Sequence, residues 1–569
     1  MRMIWSAQEL DAVKLMEDDP LKLRLNQISI PSLPMKKKKH TISFFSHCNI
    51  PKPFSPLNSI SSFPLFSLLS LLLQPISSSS PINTPPPLPV LPIPSASQIQ
   101  WQLGNMALFL HFGPNTFTDS EWGTGRADPS IFNPTNLDAN QWVRIAKDAG
   151  FSRLILTAKH HDGFCLWPSE YTNYSVSSSP WRDGKGDVVG ELAKAAKEAG
   201  LGLGLYLSPW DRHEPCYGKT LEYNEFYVGQ MTELLTRYGE ISEVWLDGAK
   251  GEGEKDMDYF FDSWFSLIHQ LQPRAVIFSD AGPDCRWIGD EAGVAKPTCW
   301  SLFNSSDVNI GATDSKYSGE GDPFGLDWVP AECDVSIRPG WFWHPSEVPK
   351  SARTLLDIYY KSAGRNCLLL LNVPPNSSGL ISAEDVQVLQ EFTKIRNSIF
   401  SYNLAENALL DASSTRGDGE DVRFVSSNVL KEGIYTYWAP AENQPTWALY
   451  FNLQDSISFN VLLLQEPIHM GQRIIEFHFD ILNNEGVWST VVRGSTVGYR
   501  RILRFPTVET QFLRLVIEKS RADPFVSYLG IHVDNFSHFG RHLDKRLKAG
   551  INGSEIHQIT LNNSQISAV

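Results

Sequence analysis

The chain has 569 residues, of which 42% are hydrophobic and 20% are charged, and its formal net charge is −14. This composition is typical of a globular protein with a large core, and it excludes a mostly disordered chain, a coiled coil and a collagen-like fibre. Because the chain is acidic and has no long basic stripe, we do not expect it to bind nucleic acid.

Residues 1–97 form a predicted leader that differs from the rest of the chain. Fifteen of the 37 prolines lie before residue 100. Four lysines at 36–39 precede an apolar run at 64–73, which is followed by a Pro/Ser-rich linker. A basic start, a short apolar run and a polar exit indicate a secretory signal peptide, since a membrane span would take about 20 apolar residues. A disordered leader without function is the alternative.

Between residues 98 and 400 apolar runs alternate with amphipathic ones, several of which end in Gly, as helices often do. The apolar runs predicted as strands are 106–113, 152–161, 200–209, 242–248, 275–280, 285–291, 334–341 and 367–375. Eight strands with intervening helices predict a (β/α)8-like barrel in an α/β fold. A doubly wound open sheet is the alternative, but the phosphate-binding glycine fingerprint does not follow the first strand.

From residue 401 to 545 the pattern changes to short alternating runs separated by turn residues. These runs are IYTYWAP, TWALYFNL, SISFNVLLLQE, IIEFHFDIL, RILRFP and FLRLVIEK. Such spacing predicts a β-sandwich. Residues 546–569 form a polar tail, which we expect to be frayed.

Sequons and cysteines favour an oxidising compartment. The N-x-S/T sequons are at Asn173, Asn304, Asn376, Asn535, Asn552 and Asn562. Of seven cysteines, Cys48 lies in the leader and six lie beyond it, with no CxxC pair, which disfavours a structural zinc site. Those six can form up to three disulfides, and buried free thiols are the alternative.

Polar and aromatic residues are concentrated where the predicted barrel strands end, which is where barrel active sites lie. They are His111, His160, His161, Asp162, Tyr206, Trp210, Asp211, Trp245, Asp247, Asp280, Arg286, Trp287, Asp290 and Glu291, followed by Glu332, Trp341 and Trp343. Carboxylates, histidines and tryptophans on one rim favour a polyhydroxylated ligand held by hydrogen bonds and ring stacking. Paired carboxylates in such a rim are what glycoside hydrolysis needs.

Other roles stay open for these residues. Asp247 can cap the following helix, the two tryptophans after residue 340 can be packing residues, and Glu291 or Glu332 can be structural. Three histidines can also indicate a metal. Metal-dependent barrel hydrolases usually carry His-x-His after the first strand, whereas here only His111 is present in His-Phe-Gly, so a metal is disfavoured.

Several segments resemble the α-L-fucosidases of glycoside hydrolase family 29, in particular their plant secreted branch, which selects fucose on branched glycans. The segments are LFLHFGPNTF (108–117), EWGTGRADPSIFNPT (121–135), LILTAKHHDGFCLWPS (154–169), VWLDGAKGEG (244–253) and RWIGDEAG (286–293). The resemblance covers about residues 100–400. The region after it is similar to the galactose-binding-like modules that often follow such barrels.

The resemblance implies a retaining double displacement without metal or organic cofactor. Asp247 matches the nucleophile, Glu291 matches the general acid/base of this branch, and Glu332 is the reserve candidate for the acid/base. Positions that match residues binding the fucose ring and hydroxyls are His111, Glu121, Trp122, His160, His161, Tyr206 and Trp245. From their places beside the site, Arg286 and Trp341 are added to the predicted substrate-binding residues.

We therefore expect an exo-α-L-fucosidase acting on α1,3- or α1,4-linked fucose of glycoprotein or cell-wall oligosaccharides. The resemblance and the predicted leader imply secretion to the apoplast or cell wall, with the vacuole as a second compartment and no membrane span. Two other functions stay open. One is a non-catalytic secreted carbohydrate-binding protein, and the other is a glycosidase for another sugar, because a Trp-lined rim does not by itself distinguish fucose from galactose.

Overall fold

The computed structural model describes residues 84–251 and 253–536. The predicted signal peptide, Cys48, the sequons at Asn552 and Asn562, and the polar tail lie outside the described residues. No helix in the described ranges is long and apolar enough to cross a membrane.

Eight parallel strands close into a barrel in the order β1-β10-β9-β6-β5-β4-β3-β2, which confirms the predicted fold class. In chain order the strands of this region are β1 (Met106–Leu110), β2 (Arg153–Lys159), β3 (Gly202–Leu207), β4 (Glu243–Trp245), β5 (Val276–Ser279), β6 (Cys285–Trp287), β7 (Leu302–Phe303), β8 (Asp327–Trp328), β9 (Ala331–Ser336) and β10 (Cys367–Asn372). Strands β7 and β8 pair only with each other. All residues of β1, β2, β9 and β10 are buried, because barrel strands are covered on both faces.

Helices precede the first barrel strand, connect later strands and follow the last one. They are α1 (Ala96–Leu103), α2 (Pro114–Thr118), α3 (Ala139–Asp148), α4 (Val188–Ala199), α5 (Thr220–Arg237), α6 (Phe261–Leu271), α7 (Ser315–Glu320), α8 (Ala352–Lys361) and α9 (Ala383–Phe400). The side chains of Asp138 and Asp187 cap α3 and α4, and Gly200, with φ of 74°, ends α4 in the left-handed conformation.

The C-terminal region is one six-stranded antiparallel sheet around its own core. Its strands are β11 (Leu409–Ala412), β12 (Trp447–Gln465), β13 (Ile474–Leu482), β14 (Trp488–Ser495), β15 (Arg501–Ser520) and β16 (Tyr528–His532). Two pairs of runs that we predicted as separate strands are single long strands, β12 and β15, because register shifts within their pairing let them bend. The predicted strand IYTYWAP is wrong, since only an isolated bridge from Trp438 to Val526 forms there.

The end of the predicted linker is part of the folded unit. The carbonyls of Pro85, Leu88 and Leu91 accept hydrogen bonds from Arg416, Arg473 and Arg521 of the sheet region. This Pro-rich stretch offers few N–H groups, so arginine side chains satisfy its carbonyls. Residues 84–95 thus pack on the sheet region, and α1 then begins with a capping box from Ser95.

One disulfide is present among the described cysteines. It joins Cys333 to Cys367 and so links β9 to β10, which are neighbours in the barrel. The remaining described cysteines are free: Cys165, Cys216, Cys285 and Cys299.

Candidate active site

A pocket of about 290 Å³ lies at the C-terminal ends of the barrel strands. Its lining includes eight of the predicted site residues: His111, Trp122, His160, His161, Trp245, Asp247, Glu291 and Trp341. Its other side chains come mainly from strands β1, β5, β6 and β9: Phe109, Phe278, Asp280, Trp287 and Asp334, with Thr313 from the loop before α7. The barrel thus collects carboxylates, imidazoles and aromatic rings from distant parts of the chain.

Asp247 follows β4 directly, and its carboxylate is held by several donors. The hydroxyl of Tyr206 donates to Oδ2 at 2.9 Å, and the N–H of Ala249 donates to Oδ1 at 2.8 Å. Nε2 of His161 lies 3.6 Å from Oδ2. Because α6 begins only at Phe261, Asp247 does not cap the next helix. Tyr206 is fully buried and reaches the pocket through this carboxylate.

The pocket histidines are buried, and burial lowers the pKa of each of them: His111 to about 3, and His160 and His161 below their usual value. Nδ1 of His111 lies 2.9 Å from Oδ1 of Asn372, whose Nδ2 donates to the carbonyl of Trp341. Since Oδ1 is therefore the acceptor, His111 donates from Nδ1 and keeps Nε2 as an acceptor for a ligand hydroxyl.

Glu291 also lines the pocket, and it follows β6 in the chain. Its Oε2 is 3.3 Å from Nε1 of Trp341. Partial desolvation in the pocket, followed by the negative charges of Asp247 and Glu121, raises the pKa of Glu291, and the Trp341 hydrogen bond opposes this only in part. A carboxyl group with a raised pKa is suited to donate a proton.

Glu121 and Trp122 follow α2. Trp122 is half-exposed at the rim, with its ring edge-on to those of His161 and Trp210. The carboxylate of Glu121 does not line the pocket, and it accepts hydrogen bonds from the N–H groups of Trp341, at 2.8 Å, and Phe342, at 3.2 Å.

Two functional candidates were missed by sequence reasoning. Asp334 lines the pocket, where Nε1 of Trp287 donates to it at 2.9 Å, and burial and the charge of Glu291 raise its pKa. We predicted that its strand begins at residue 334, whereas β9 begins at Ala331, so Asp334 lies further along the strand. Asn372 was also missed, although a lone polar residue ending the run CLLLLN was a usable signal.

Four predicted site residues do not line the pocket: Tyr206 and Glu121, described above, and Arg286 and Glu332. Arg286 lies in β6, but its guanidinium is buried and donates to the carbonyls of Ser318, Trp300 and Val329. It satisfies main-chain groups outside the barrel interior, so the structure does not support a substrate contact.

Glu332 lies in the first half of β9, fully buried beside Glu243 and Cys285. One ligand atom of each of these three residues lies within 4.8 Å of the others, and Arg153 already pairs with Glu243 at 3.0 Å. Within the described ranges, Glu243, Cys285 and Glu332 are the one set of His, Cys, Asp or Glu side chains spaced closely enough to hold a metal. This set does not include the pocket histidines. Glu332 therefore belongs to the barrel core.

Comparison with known proteins places the chain in one family. A family model described as Alpha-L-fucosidase matches residues 115–396. The chain is 68% identical to Alpha-L-fucosidase 1 of Arabidopsis thaliana over 485 residues, which cover 85% of this chain and 95% of the relative. It is 69% identical to Putative alpha-L-fucosidase 1 of Oryza sativa subsp. japonica over 454 residues, covering 80% and 87%.

Solved structures are similar over most of the described chain. A putative alpha-L-fucosidase from Bacteroides thetaiotaomicron gives a TM-score of 0.74 at 37% identity, covering 79% of this chain and 99% of the other. A Ruminococcus gnavus GH29 fucosidase in complex with fucose gives 0.74 at 33% identity, covering 79% and 97%.

Proposed function

Because the chain belongs to the α-L-fucosidase family and is a glycoside hydrolase of that specificity, we propose that it releases terminal α-L-fucose by a retaining double displacement. The observation that carries glycoside hydrolysis is the pair of carboxyl groups in one pocket, and the resemblance to family 29 supports the retaining course. Asp247 is fixed at a strand end by the Tyr206 hydroxyl and a main-chain N–H. Glu291 lines the same pocket with a raised pKa, caused first by partial desolvation there.

In the first step, Asp247 attacks the anomeric carbon and the bond to the leaving oxygen breaks. Glu291 gives its proton to that oxygen, and a β-linked fucosyl ester forms on Asp247. In the second step, Glu291 takes a proton from water, and the water oxygen attacks the anomeric carbon and displaces Asp247. Two inversions return α-fucose and leave both carboxyl groups in their starting states.

The walls of the pocket support a deoxysugar as the ligand. Phe109, Trp245, Phe278 and Trp287 give it apolar faces, and the Trp245 and Phe278 rings stack at 3.9 Å. The three buried histidines supply hydrogen-bonding nitrogens for hydroxyl groups. The similar Ruminococcus gnavus enzyme was solved with fucose, which further supports fucose as the sugar bound here.

The natural substrates we propose are α1,3- and α1,4-fucosylated branched glycans of glycoproteins or cell walls. We place the enzyme in the apoplast, with the vacuole as the second compartment. Two sequon asparagines that are exposed, Asn173 and Asn535, and the Cys333–Cys367 disulfide support an oxidising route. Expression of the full chain in plant cells tests this. We expect fucosidase activity in the extracellular wash, and we expect the protein to lose mass when it is treated with a glycosidase that removes N-linked glycans. Retention of the protein in the cytosol would refute the proposed secretion.

Hydrolysis of a Lewis-type trisaccharide tests the mechanism. We expect α-fucose as the first product by NMR, and a loss of about 10² to 10⁴-fold in Asp247→Ala and Glu291→Ala. With an activated fucoside, azide should give β-fucosyl azide from Asp247→Ala and α-fucosyl azide from Glu291→Ala. Glu332→Gln is the matched control, because it removes a carboxyl group that lies outside the pocket. β-Fucose as the first product would show inversion and refute the proposal.

A further inference from the structure

His344 lies between two carboxylates near the pocket. Its Nδ1 is 2.6 Å from Oδ1 of Asp119, and its Nε2 is 2.6 Å from Oε1 of Glu121. A neutral imidazole has one N–H and can donate to only one of them, so both contacts are hydrogen bonds only in the imidazolium form. His344 thus ties the segment after α2 to the segment after β9.

Glu121 connects this histidine to the wall of the pocket. While Oε1 receives His344 and the N–H of Phe342, Oε2 receives the N–H of Trp341. The Glu121 carbonyl is in turn held by Nδ2 of Asn115 at 3.1 Å. The carboxylate therefore fixes the main chain of 341–342 through two hydrogen bonds, and His344 helps fix the carboxylate.

Trp341 carries this constraint to the reacting groups. Its indole ring packs on the ring of His111 at 5.1 Å, and its Nε1 lies 3.3 Å from Oε2 of Glu291. A shift of the Trp341 main chain moves the indole, and with it the one side-chain hydrogen bond that the structure shows on Glu291. A contact this long is sensitive to small displacements.

We propose that His344, as an imidazolium, is a positioning residue that holds Glu121 and Trp341 so that Glu291 is aligned for proton donation. This inference rests on the proposed role of Glu291 as the acid/base. His344 itself touches no reacting atom. Its effect should therefore appear in steps that need a proton, rather than in binding of the sugar ring.

The charges around His344 support the imidazolium. Partial burial lowers the pKa of His344, but the hydrogen bonds to Asp119 and Glu121 and the negative charge of Glu347 outweigh it, so the pKa is raised. The arrangement is therefore complete at acidic pH and is lost as the pH rises through this raised pKa.

The test compares two leaving groups in His344→Gln, which keeps a polar side chain that does not titrate. A nitrophenyl fucoside needs little acid assistance, whereas a trisaccharide needs a full proton transfer. We expect kcat/KM, which reports cleavage of the glycosidic bond, to fall about tenfold or more for the trisaccharide, with a change below about threefold for the nitrophenyl fucoside. The ratio of wild-type to variant kcat/KM for the trisaccharide should approach one as the pH rises.

Three further variants make the outcome specific. Trp341→Phe keeps an aromatic ring but removes the indole N–H, and it should show the same leaving-group dependence. The double variant with His344→Gln and Trp341→Phe should lose no more activity than the stronger of the two single variants. His478→Gln is the matched control, because His478 also lies between two carboxylates, Glu518 and Asp480, but in the sheet region.

The role of His344 would be overturned if His344→Gln lost equal activity on both substrates. It would also be overturned if the ratio of wild-type to variant activity did not change with pH. Glu291→Gln is measured in the same assay. If that variant also lacks leaving-group dependence, the assignment of Glu291 has failed. If only His344→Gln lacks it, the positioning role has failed.

Discussion

Replacing Glu332 by Gln removes a titrating group from the barrel core and keeps its volume. Glu332 is fully buried next to Glu243, whose carboxylate accepts hydrogen bonds from Arg153 at 3.0 Å and the indole of Trp101 at 2.8 Å. Burial and the negative charge of Glu243 raise the pKa of Glu332 well above its usual range. The folded protein therefore keeps a proton on Glu332 at a pH where the unfolded chain has lost it.

The sign and size of the effect follow from this difference of one proton. The folded state binds more protons than the unfolded state above the ordinary glutamic acid pKa, so stability falls as the pH rises, by up to about 1.4 kcal/mol per pH unit. From pH 5.5 to 7.5 the wild type should lose up to about 3 kcal/mol through this group. Glu332→Gln does not titrate and should not show this loss.

Denaturant unfolding followed by tryptophan fluorescence at several pH values measures the difference. The stability of Glu332→Gln relative to wild type should increase steadily with pH, while kcat and KM at pH 5.5 stay unchanged because the residue lies outside the pocket. Glu243→Gln is the comparison, since it removes the partner of Arg153 and should destabilise the barrel at every pH. Parallel pH dependences for wild type and Glu332→Gln would refute the reasoning.

Two other predictions follow from buried polar groups. Asn372→Leu removes the donor to the Trp341 carbonyl and the acceptor for His111, so fucose affinity measured by calorimetry should fall about tenfold or more, and unchanged affinity would contradict this. Arg286→Met leaves three buried carbonyls without their donor and should cost about 3 kcal/mol or more of stability, with KM of the folded enzyme unchanged. A raised KM at unchanged stability would instead show that Arg286 contacts substrate.

The barrel was predictable because burial on both faces makes several of its strands, such as β1 and β10, nearly continuous apolar runs. Polar residues just beyond the strands mark the strand ends, as His111, His160 and Asp247 do. These residues come from β1, β2 and β4, and closure of the barrel brings them into one pocket. The pattern therefore predicted the fold and much of the pocket together.

What could not be predicted is the direction in which a polar side chain points within a strand. Arg286 lies inside β6 and points away from the pocket, and the choice depends on strand twist and depth, which one sequence does not show. The strand β9 begins three residues earlier than the sequence predicted. Glu332 therefore lies in the core, and Asp334 lies in the pocket. In β12, the residues QDS resemble a turn, but Gln454, with φ of 70°, lies within a continuous strand at a register shift.

The packing of residues 84–95 on the sheet region has a consequence for synthesis. The carbonyls of Pro85 and Leu91 meet their arginine partners 331 and 430 residues later in the chain. During translation this segment emerges first among the described residues, and it stays without those partners until Arg521 has left the ribosome. Closing so long a loop is slow, so the segment should dock after the barrel has formed. The first part of the described chain to be made is therefore among the last to become structured.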